Sequence, residues 1–234
     1  MLRTVKLSLK YAFTRLGYWF PLSWIVELQA SIKYLTVGHW MRDHYFTKFP
    51  RVQTKFAVFE GVLSLIRDKP TVYLEFGVAT GTSMRYWSNQ LKHPNSILHG
   101  FDSFEGLPDD WDSDRPKGAF STGGAIPHID DNRVKFFKGW FDQVLPTYSI
   151  PDDFLKSPYY LVVNLDADLY SSTILVLRAF RPHIKPGVFI YFDELCDPNH
   201  ELKALTEFLS ETGLKLRVVC ADVSLTHVFF QCID

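Results

Sequence analysis

The sequence predicts an α/β fold in which helices cover both faces of a mostly parallel β-sheet. From residue 70 onwards, short apolar runs alternate with helical stretches, a pattern typical of parallel sheets whose strands are joined by helices. The runs at 160–165 and 188–192 are almost continuously apolar, as expected for strands buried on both faces. Only residues 221–226 separate the last two runs, too few for a crossover helix, so the last strand is predicted to be antiparallel.

The individual elements of the sheet follow from this alternation. Strands are expected at 71–76, 97–101, 134–137, 159–165, 188–192, 216–220 and 227–232, with helices between them at 82–91, 140–144, 171–180 and 199–211. Residues 105–132 are rich in Gly, Pro, Asp and Ser and fit neither pattern. Because long connections in compact domains are usually functional, this segment is expected to be a lid or substrate loop, with Trp111, Phe120 and His128 near the substrate.

The N-terminal residues 1–69 are expected to form a helical elaboration that precedes a main domain at 70–234. Residues 1–50 carry seven Lys or Arg against Glu27 and Asp43, a net charge of +5. Two or three short helices are expected there, followed by another at about 54–67. A basic amphipathic start can contact a membrane surface or a partner chain. The favoured interpretation is a helical cap on the main domain or on a second subunit, which makes a homodimer possible.

The overall composition excludes several classes of protein. Hydrophobic residues make up 47% of the 234 residues, enough for a sizeable core, and the net charge of −1 provides no basic surface for nucleic acid. Three cysteines without a C-x-x-C pair argue against a disulfide framework or a zinc site, so a reducing cytoplasm is expected. The longest uncharged runs, 16–26 and 118–129, are shorter than the ~20 residues of a transmembrane helix.

A glycine-containing turn follows the first predicted strand. Glycines there allow the backbone to approach a ligand, and the helix that follows offers free N–H groups to an anionic group. The dinucleotide fingerprint is not satisfied, because Ala79 and Thr82 replace its second and third glycines. An acidic residue followed by spaced small residues fits S-adenosylmethionine (SAM) better than NAD, although a plain strand-to-helix turn explains the pattern equally well. The candidate cofactor ligands in this turn are Glu75, Gly77, Thr80, Gly81 and Ser83.

Asp102 ends the next predicted strand. An acid about 20 residues after the glycine turn can accept hydrogen bonds from ribose hydroxyls in nucleotide-binding α/β folds. The alternative is a helix cap, because residues 102–105 also match a capping box in which Glu105 is the second partner. Its position at the carboxyl edge of a strand favours the ligand.

Four acidic residues follow two further buried strands. Asp166 and Asp168 come after one strand, and Asp193 and Glu194 come after the other. Ligands of open parallel sheets bind at this edge, where clustered carboxylates repel one another unless a cation or protons intervene. A divalent ion such as Mg²⁺, which prefers oxygen ligands, would explain all four acids together. The alternatives are that Asp168 or Ser171 caps the next helix and that Glu194 is solvated.

Four segments of the chain resemble the macrocin O-methyltransferase family. They are Glu-Phe-Gly-Val at 75–78, the run at 100–108 that reads Gly-Phe-Asp-Ser-Phe-Glu-Gly-Leu-Pro, the run at 138–146 that begins Lys-Gly-Trp-Phe-Asp, and the run at 165–173 that begins Leu-Asp-Ala-Asp-Leu-Tyr. The resemblance covers about residues 70–195 in matching order. It implies a Rossmann-like, seven-stranded class I methyltransferase sheet with an antiparallel last strand, the cofactor SAM and a divalent metal.

The resemblance also implies roles for individual residues. Asp168 is the candidate general base of the reaction. Val-Ala-Thr-Gly in the cofactor turn and Glu194 in place of a commoner Asp depart from the family pattern. The metal ligands implied are Asp166, Asp193 and Glu194, and the SAM site comprises the 77–83 turn, Asp102, Gly139 and Trp140.

The expected function is therefore methyl transfer from SAM to a hydroxyl of a small sugar, polyol or glycosylated metabolite, with Mg²⁺ or a similar ion orienting the acceptor. Two alternatives stay open at this point. One is a metal-dependent methyltransferase with a phenolic acceptor. The other is a catalytically silent, nucleotide-binding interaction module.

Overall fold

A computed structural model describes residues 2–44, 46, 48–151, 154 and 158–234. Within these residues one sheet contains β1 (Arg51–Val52), β2 (Thr71–Phe76), β3 (Ile97–Asp102), β4 (Val134–Lys138), β5 (Tyr160–Leu165), β6 (Phe189–Phe192), β7 (Leu216–Asp222) and β8 (Val228–Cys232). The described α-helices are α1 (Leu2–Gly17), α2 (Leu22–Asp43), α3 (Lys55–Ile66), α4 (Thr82–Gln90), α5 (Phe141–Val144), α6 (Tyr170–Phe180) and α7 (Glu201–Thr212).

The sheet has the strand order β1-β7-β8-β6-β5-β2-β3-β4. Its neighbouring strands are parallel except for β8, which runs antiparallel to both β6 and β7. The predicted α/β sheet with an antiparallel last strand is therefore confirmed. The predicted number of seven strands is wrong, because Arg51 and Val52 add an eighth by pairing with Ala221 and Asp222 of β7. A run of two residues is too short to show a strand periodicity in the sequence.

The central strands separate two apolar layers. Successive side chains of a strand point to opposite faces, so Leu74 and Phe76 of β2 pack with α6 and α7, whereas Tyr73 packs with α3 and α4. This alternation explains why the apolar runs were nearly continuous, since each face of β2 and β5 is covered by helices. The arrangement leaves the carboxyl ends of the parallel strands together at one edge of the sheet.

The N-terminal residues differ from the expectation of short helices. α1 has 16 residues and ends at Gly17, and α2 has 22 residues and begins directly after Pro21. Every residue from 5 to 24 is exposed, and only the end of α2, at Val37, Trp40 and Met41, is buried in the core. None of the described helices combines the length and the hydropathy of a membrane span.

The last part of the predicted elaboration belongs to the body of the domain. β1 lies in the sheet, and α3 packs on β7 and β8 through Val58, Phe59 and Val62. Thr54 caps α3, because its side-chain oxygen accepts a hydrogen bond of 3.2 Å from the backbone N–H of Ala57. Residues 1–69 thus include the exposed α1, the partly exposed α2, and two elements, β1 and α3, that pack with the sheet.

Candidate active site

A cavity of about 590 Å³ opens at the carboxyl ends of β2, β3, β5 and β6. The loop that follows β3 covers one side, and the first turn of α6 closes another. Eight of the predicted site residues line this cavity together: Gly77, Asp102, Gly139, Trp140, Asp166, Asp168, Asp193 and Glu194.

Four of the predicted cofactor ligands lie outside the described lining of the cavity. Thr80 is exposed beyond the turn, Gly81 is the N-cap of α4, and Ser83 is buried within that helix. Glu75 is buried inside the sheet and accepts a 2.9 Å hydrogen bond from the hydroxyl of Tyr73. Because strand residues alternate, Glu75 faces the α3 and α4 side of β2 rather than the cavity.

Gly77 brings the cofactor turn against the acidic end of β5. Its φ is +90°, and a Cβ at this position would lie 1.7 Å from the carbonyl oxygen of Asp166. The backbone N–H of Asp166 donates to the carbonyl of Phe76 at 2.9 Å, which holds the two strand ends together. Only glycine allows this close approach, so the predicted need for glycine here has a specific steric cause.

Asp102 organises the cofactor turn. Its Oδ2 accepts hydrogen bonds of 2.7 and 2.8 Å from the backbone N–H groups of Val78 and Ala79, and its Oδ1 accepts one of 2.7 Å from Phe104. The capping-box alternative is wrong, because the residues after β3 form a loop and there is no helix to cap. A carboxylate has about four acceptor positions, so one remains for a ligand in the cavity.

Asp166 and Asp193 share a cation that the sequence did not indicate. The ammonium Nζ of Lys55, from α3, lies 3.0 Å from Asp166 Oδ2 and 2.6 Å from Asp193 Oδ1. Burial and the charge of Asp193 raise the pKa of Asp166, and Lys55 opposes this shift. Burial would lower the pKa of Lys55, but the two carboxylates outweigh it and raise that pKa above its usual value.

Two further residues hold Asp193. The hydroxyl of Tyr191 donates to Asp193 Oδ1 at 2.7 Å, and Nδ1 of His227 lies 3.3 Å from the same oxygen. Burial opposes ionisation of Asp193, but hydrogen bonding with His227 and the charge of Lys55 lower its pKa below the usual range. Lys55, Tyr191 and His227 therefore all lie within 3.3 Å of Asp193 Oδ1, in surroundings that favour the ionised carboxylate.

Glu194 does not join this pair. Its Oε2 accepts from Sγ of Cys196 at 3.7 Å, and its backbone N–H donates to Oε2 of the fully buried Glu201 at 2.8 Å. Across the described ranges, no group of three or more His, Cys, Asp or Glu side chains is arranged to hold a metal ion. The three predicted ligands thus do not fit one common ion in this arrangement, because Lys55 bridges two of them and the third is turned towards Cys196.

Asp168 lies in the cavity without a hydrogen-bonding partner among the described residues. Its φ is +57°, and the backbone N–H of Leu169 donates to the carbonyl of Ala167 across it at 2.6 Å. Asp168 does not cap α6, since the N-cap position is Leu169 and no side chain caps it. Burial and the charges of the neighbouring acids raise the pKa of Asp168 to about 8, against a smaller opposing effect of Arg115.

The long loop after β3 forms the outer wall. Leu107 and Trp111 pack against Leu169, and the guanidinium of Arg115 lies 3.5 Å from the centre of the Trp111 ring. Phe120 also lines the cavity, with 55% of its surface exposed. The loop therefore lines the cavity, and its role as a lid or substrate loop stays a prediction.

His128 is exposed and lies outside the lining, where its backbone carbonyl is 3.3 Å from the guanidinium of Arg85. The geometry therefore does not support a role for the His128 imidazole in the cavity.

Sequence reasoning missed several residues that shape the site. Lys55, Tyr191, His227 and Glu201 are separated from the predicted motifs along the chain or carry no recognisable spacing. Among these four residues, Lys55 alone has an unusual position in the sequence. It is the only charged residue between Arg51 and Glu60, at the start of an apolar helix. Its partner Asp166 is 111 residues away in the sequence.

Comparison with known proteins identifies the family. The family model described as macrocin-O-methyltransferase (TylF) matches residues 64–231. The chain belongs to this family. It is a SAM-dependent O-methyltransferase, which confirms the predicted family and the predicted type of enzyme.

Individual relatives agree with this assignment. Mycinamicin III 3''-O-methyltransferase of Micromonospora griseorubida is 28% identical to this methyltransferase over 188 residues, 69% of each chain. The 8-demethyl-8-(2,3-dimethoxy-alpha-L-rhamnosyl)-tetracenomycin-C 4'-O-methyltransferase of Streptomyces olivaceus is 33% identical over 110 residues, 40% of each chain.

Solved structures share the fold of this methyltransferase. The calicheamicin methyltransferase CalS11 superimposes with a TM-score of 0.56 at 23% identity, covering 82% of this chain and 79% of that chain. The O-methyltransferase NovP also gives a TM-score of 0.56, at 22% identity, covering 77% of this chain and 78% of that chain.

Proposed function

We propose that this enzyme transfers the methyl group of SAM to a hydroxyl of a small sugar, a polyol or the sugar unit of a glycosylated metabolite. The observation that carries the proposal is Asp168, which lines the cavity together with the Gly77 turn and Asp102 and has no hydrogen-bonding partner among the described residues. The Streptomyces olivaceus relative is named for a rhamnosyl compound, which supports a sugar hydroxyl as the acceptor class.

The cavity suits a nucleoside cofactor together with an acceptor. Its volume of about 590 Å³ lies within the ~300–1,000 Å³ range of small-molecule sites. Asp102 keeps one acceptor position for a ribose hydroxyl, and Gly139 and Trp140 border the adenine end in this proposal. Glu75, Thr80, Gly81 and Ser83 shape the turn from outside the cavity, so direct contact of these four with SAM stays a prediction.

When bound, SAM supplies an electrophilic methyl group carried on a sulfonium. Asp168 accepts the proton of the acceptor hydroxyl, which is the role of a general base. Asp168 lies beyond the end of β5 in a left-handed conformation and lines the cavity. Trp111, Arg115 and Phe120 hold the acceptor from the loop side, where Arg115 supplies hydrogen-bond donors for oxygen atoms and Phe120 an exposed ring.

The ion predicted on Asp166, Asp193 and Glu194 does not fit the arrangement of these side chains, and the proposed reaction does not depend on it. The phenolic acceptor remains the alternative substrate class, since a phenol offers its proton to the same base. A cytoplasmic location likewise remains a prediction.

The test is a panel of glycosides, polyols and phenols incubated with SAM carrying a labelled methyl group. The expected result is labelling of a glycoside or polyol, with kcat reduced about 10²–10⁴-fold in Asp168→Asn, the usual contribution of a general base. The matched control is Asp130→Asn, which changes an exposed acid in the loop after β3, outside the described lining of the cavity. Labelling of phenols alone, or full activity of Asp168→Asn, would contradict the proposal.

We also propose that a second copy of the chain covers the N-terminal helices. Val5, Leu9, Phe13 and Leu16 recur at three- and four-residue spacing on one face of α1, and all four are exposed. Leu9→Glu together with Phe13→Glu should convert a dimer to a monomer in light scattering, while Thr14→Glu on the opposite face should not. A wild-type monomer that binds anionic vesicles would assign the surface to a membrane instead.

A further inference from the structure

The acidic edge of the sheet already contains a cation that belongs to the chain. We infer that Lys55, rather than a divalent metal ion, is the counter-charge of Asp166 and Asp193, so that this methyltransferase works without a bound metal. The activity part of this inference rests on the proposed function, whereas the ion-binding part does not.

The first support is geometric. Lys55 Nζ lies within hydrogen-bond distance of one oxygen of each carboxylate, 3.0 Å from Asp166 and 2.6 Å from Asp193. These are the two residues that the predicted ion would bridge. The lysine is held there because α3 is capped by Thr54 and anchored on the sheet by its buried apolar face.

The second support is the charge around Asp193. Its Oδ1 already accepts from Lys55 and Tyr191, and the ring of His227 lies 3.3 Å away. A divalent ion bonds carboxylate oxygens at roughly 2.0–2.6 Å. An ion on this pair would therefore lie close to the ammonium of Lys55, and like charges at such distances repel strongly in a partly buried site.

The third support is that Glu194, the third predicted ligand, has other partners. Glu194 is directed to Cys196, and its backbone is held by the buried Glu201, so it does not approach Lys55 among the described contacts. Residue 55 also lies before the segment 64–231 that matches the family. The motifs alone therefore predict a metal, while the residue that replaces it lies outside them.

The decisive experiment is Mn²⁺ binding measured by electron paramagnetic resonance. We expect no stoichiometric Mn²⁺ on the wild-type chain, and binding at least ~10-fold tighter in Lys55→Met, where two partly buried carboxylates lose their cation. The double variant Lys55→Met with Asp193→Asn should lose the created site. Lys55→Arg is the matched control and should behave as wild type, because it keeps the charge.

Stoichiometric Mn²⁺ on the wild-type chain that Asp193→Asn abolishes would overturn the inference. This measurement on the wild-type chain and Asp193→Asn tests the inference even if Lys55→Met fails to fold. Circular dichroism would show whether Lys55→Met is folded. With an acceptor identified, exhaustive chelation should leave wild-type turnover unchanged, and a loss restored by Mg²⁺ would also overturn it. A chain that methylates no acceptor but binds no Mn²⁺ would contradict the proposed function while leaving the Lys55 assignment supported.

Discussion

Asp102 and Asp168 lie in the same cavity, yet their surroundings are opposite. Asp102 accepts three backbone hydrogen bonds of 2.7–2.8 Å and thereby holds the Gly77 turn in place. Asp168 has no hydrogen-bonding partner within the described part of the chain, and its backbone is in the left-handed region. An acid that satisfies the backbone builds the site, whereas an acid without a partner is available to react with a ligand.

The same contrast separates the two ends of the cavity. At the Asp102 end, charge is balanced by backbone N–H groups of neighbouring segments. At the Asp166 and Asp193 end, charge is balanced by a side chain from α3, which lies far away in the sequence. The first end is therefore held by backbone groups of the turn and loop around it, while the second depends on how α3 packs on the sheet.

The contact that joins the two ends should give the largest effect. Gly77→Ala would place a Cβ 1.7 Å from the carbonyl oxygen of Asp166, so we expect a loss of more than about 3 kcal/mol in the free energy of unfolding. Gly118→Ala is the control, because Gly118 has a similar φ of +82° but open space around it. It should lose only about 1–2 kcal/mol, the cost of a left-handed alanine. Equal losses of unfolding free energy for the two variants in urea denaturation would show that the close approach of residue 77 to Asp166 does not add to the cost.

The two acids themselves should differ in stability. Asp102→Ala leaves three backbone N–H groups without their acceptor, so we expect a loss of about 1–3 kcal/mol in unfolding free energy and a similar loss in SAM affinity. Asp168→Ala removes no hydrogen bond to a described residue and should leave the unfolding free energy nearly unchanged. Calorimetry with SAM and thermal denaturation measure both quantities. A larger loss of unfolding free energy in Asp168→Ala than in Asp102→Ala would contradict this expectation.

The smallest expected effect concerns the helix that carries Lys55. Thr54→Ala removes the side-chain cap of α3 and should cost about 1 kcal/mol of stability. Thr14→Ala in the exposed α1 is the matched control, with an expected change within about 0.5 kcal/mol. If Thr54→Ala also loosens Lys55, an NMR signal of its Nζ should exchange faster with water. An unchanged signal would show that packing alone holds the lysine.

Much of the fold could be predicted because its signals are local. The apolar runs and the short connection before β8 determined the strands and the direction of the last one, and the residues at the strand ends determined which acids meet. The predicted strand boundaries were right to within a few residues because these signals are local. Asp102 could be located but its partners could not, since the backbone groups it holds depend on how the turn closes.

The amino-acid sequence by itself thus determined the α/β architecture, the glycine-containing turn at residue 77 and the position of the carboxylates at one edge of the sheet. The tertiary structure decided the direction of Glu75, the pairing of β1 and the cation between Asp166 and Asp193. The physical reason is the range of the interactions. Periodicity and turn chemistry act between neighbours in the chain, whereas Lys55 meets Asp166 across 111 residues only after α3 has packed on the sheet.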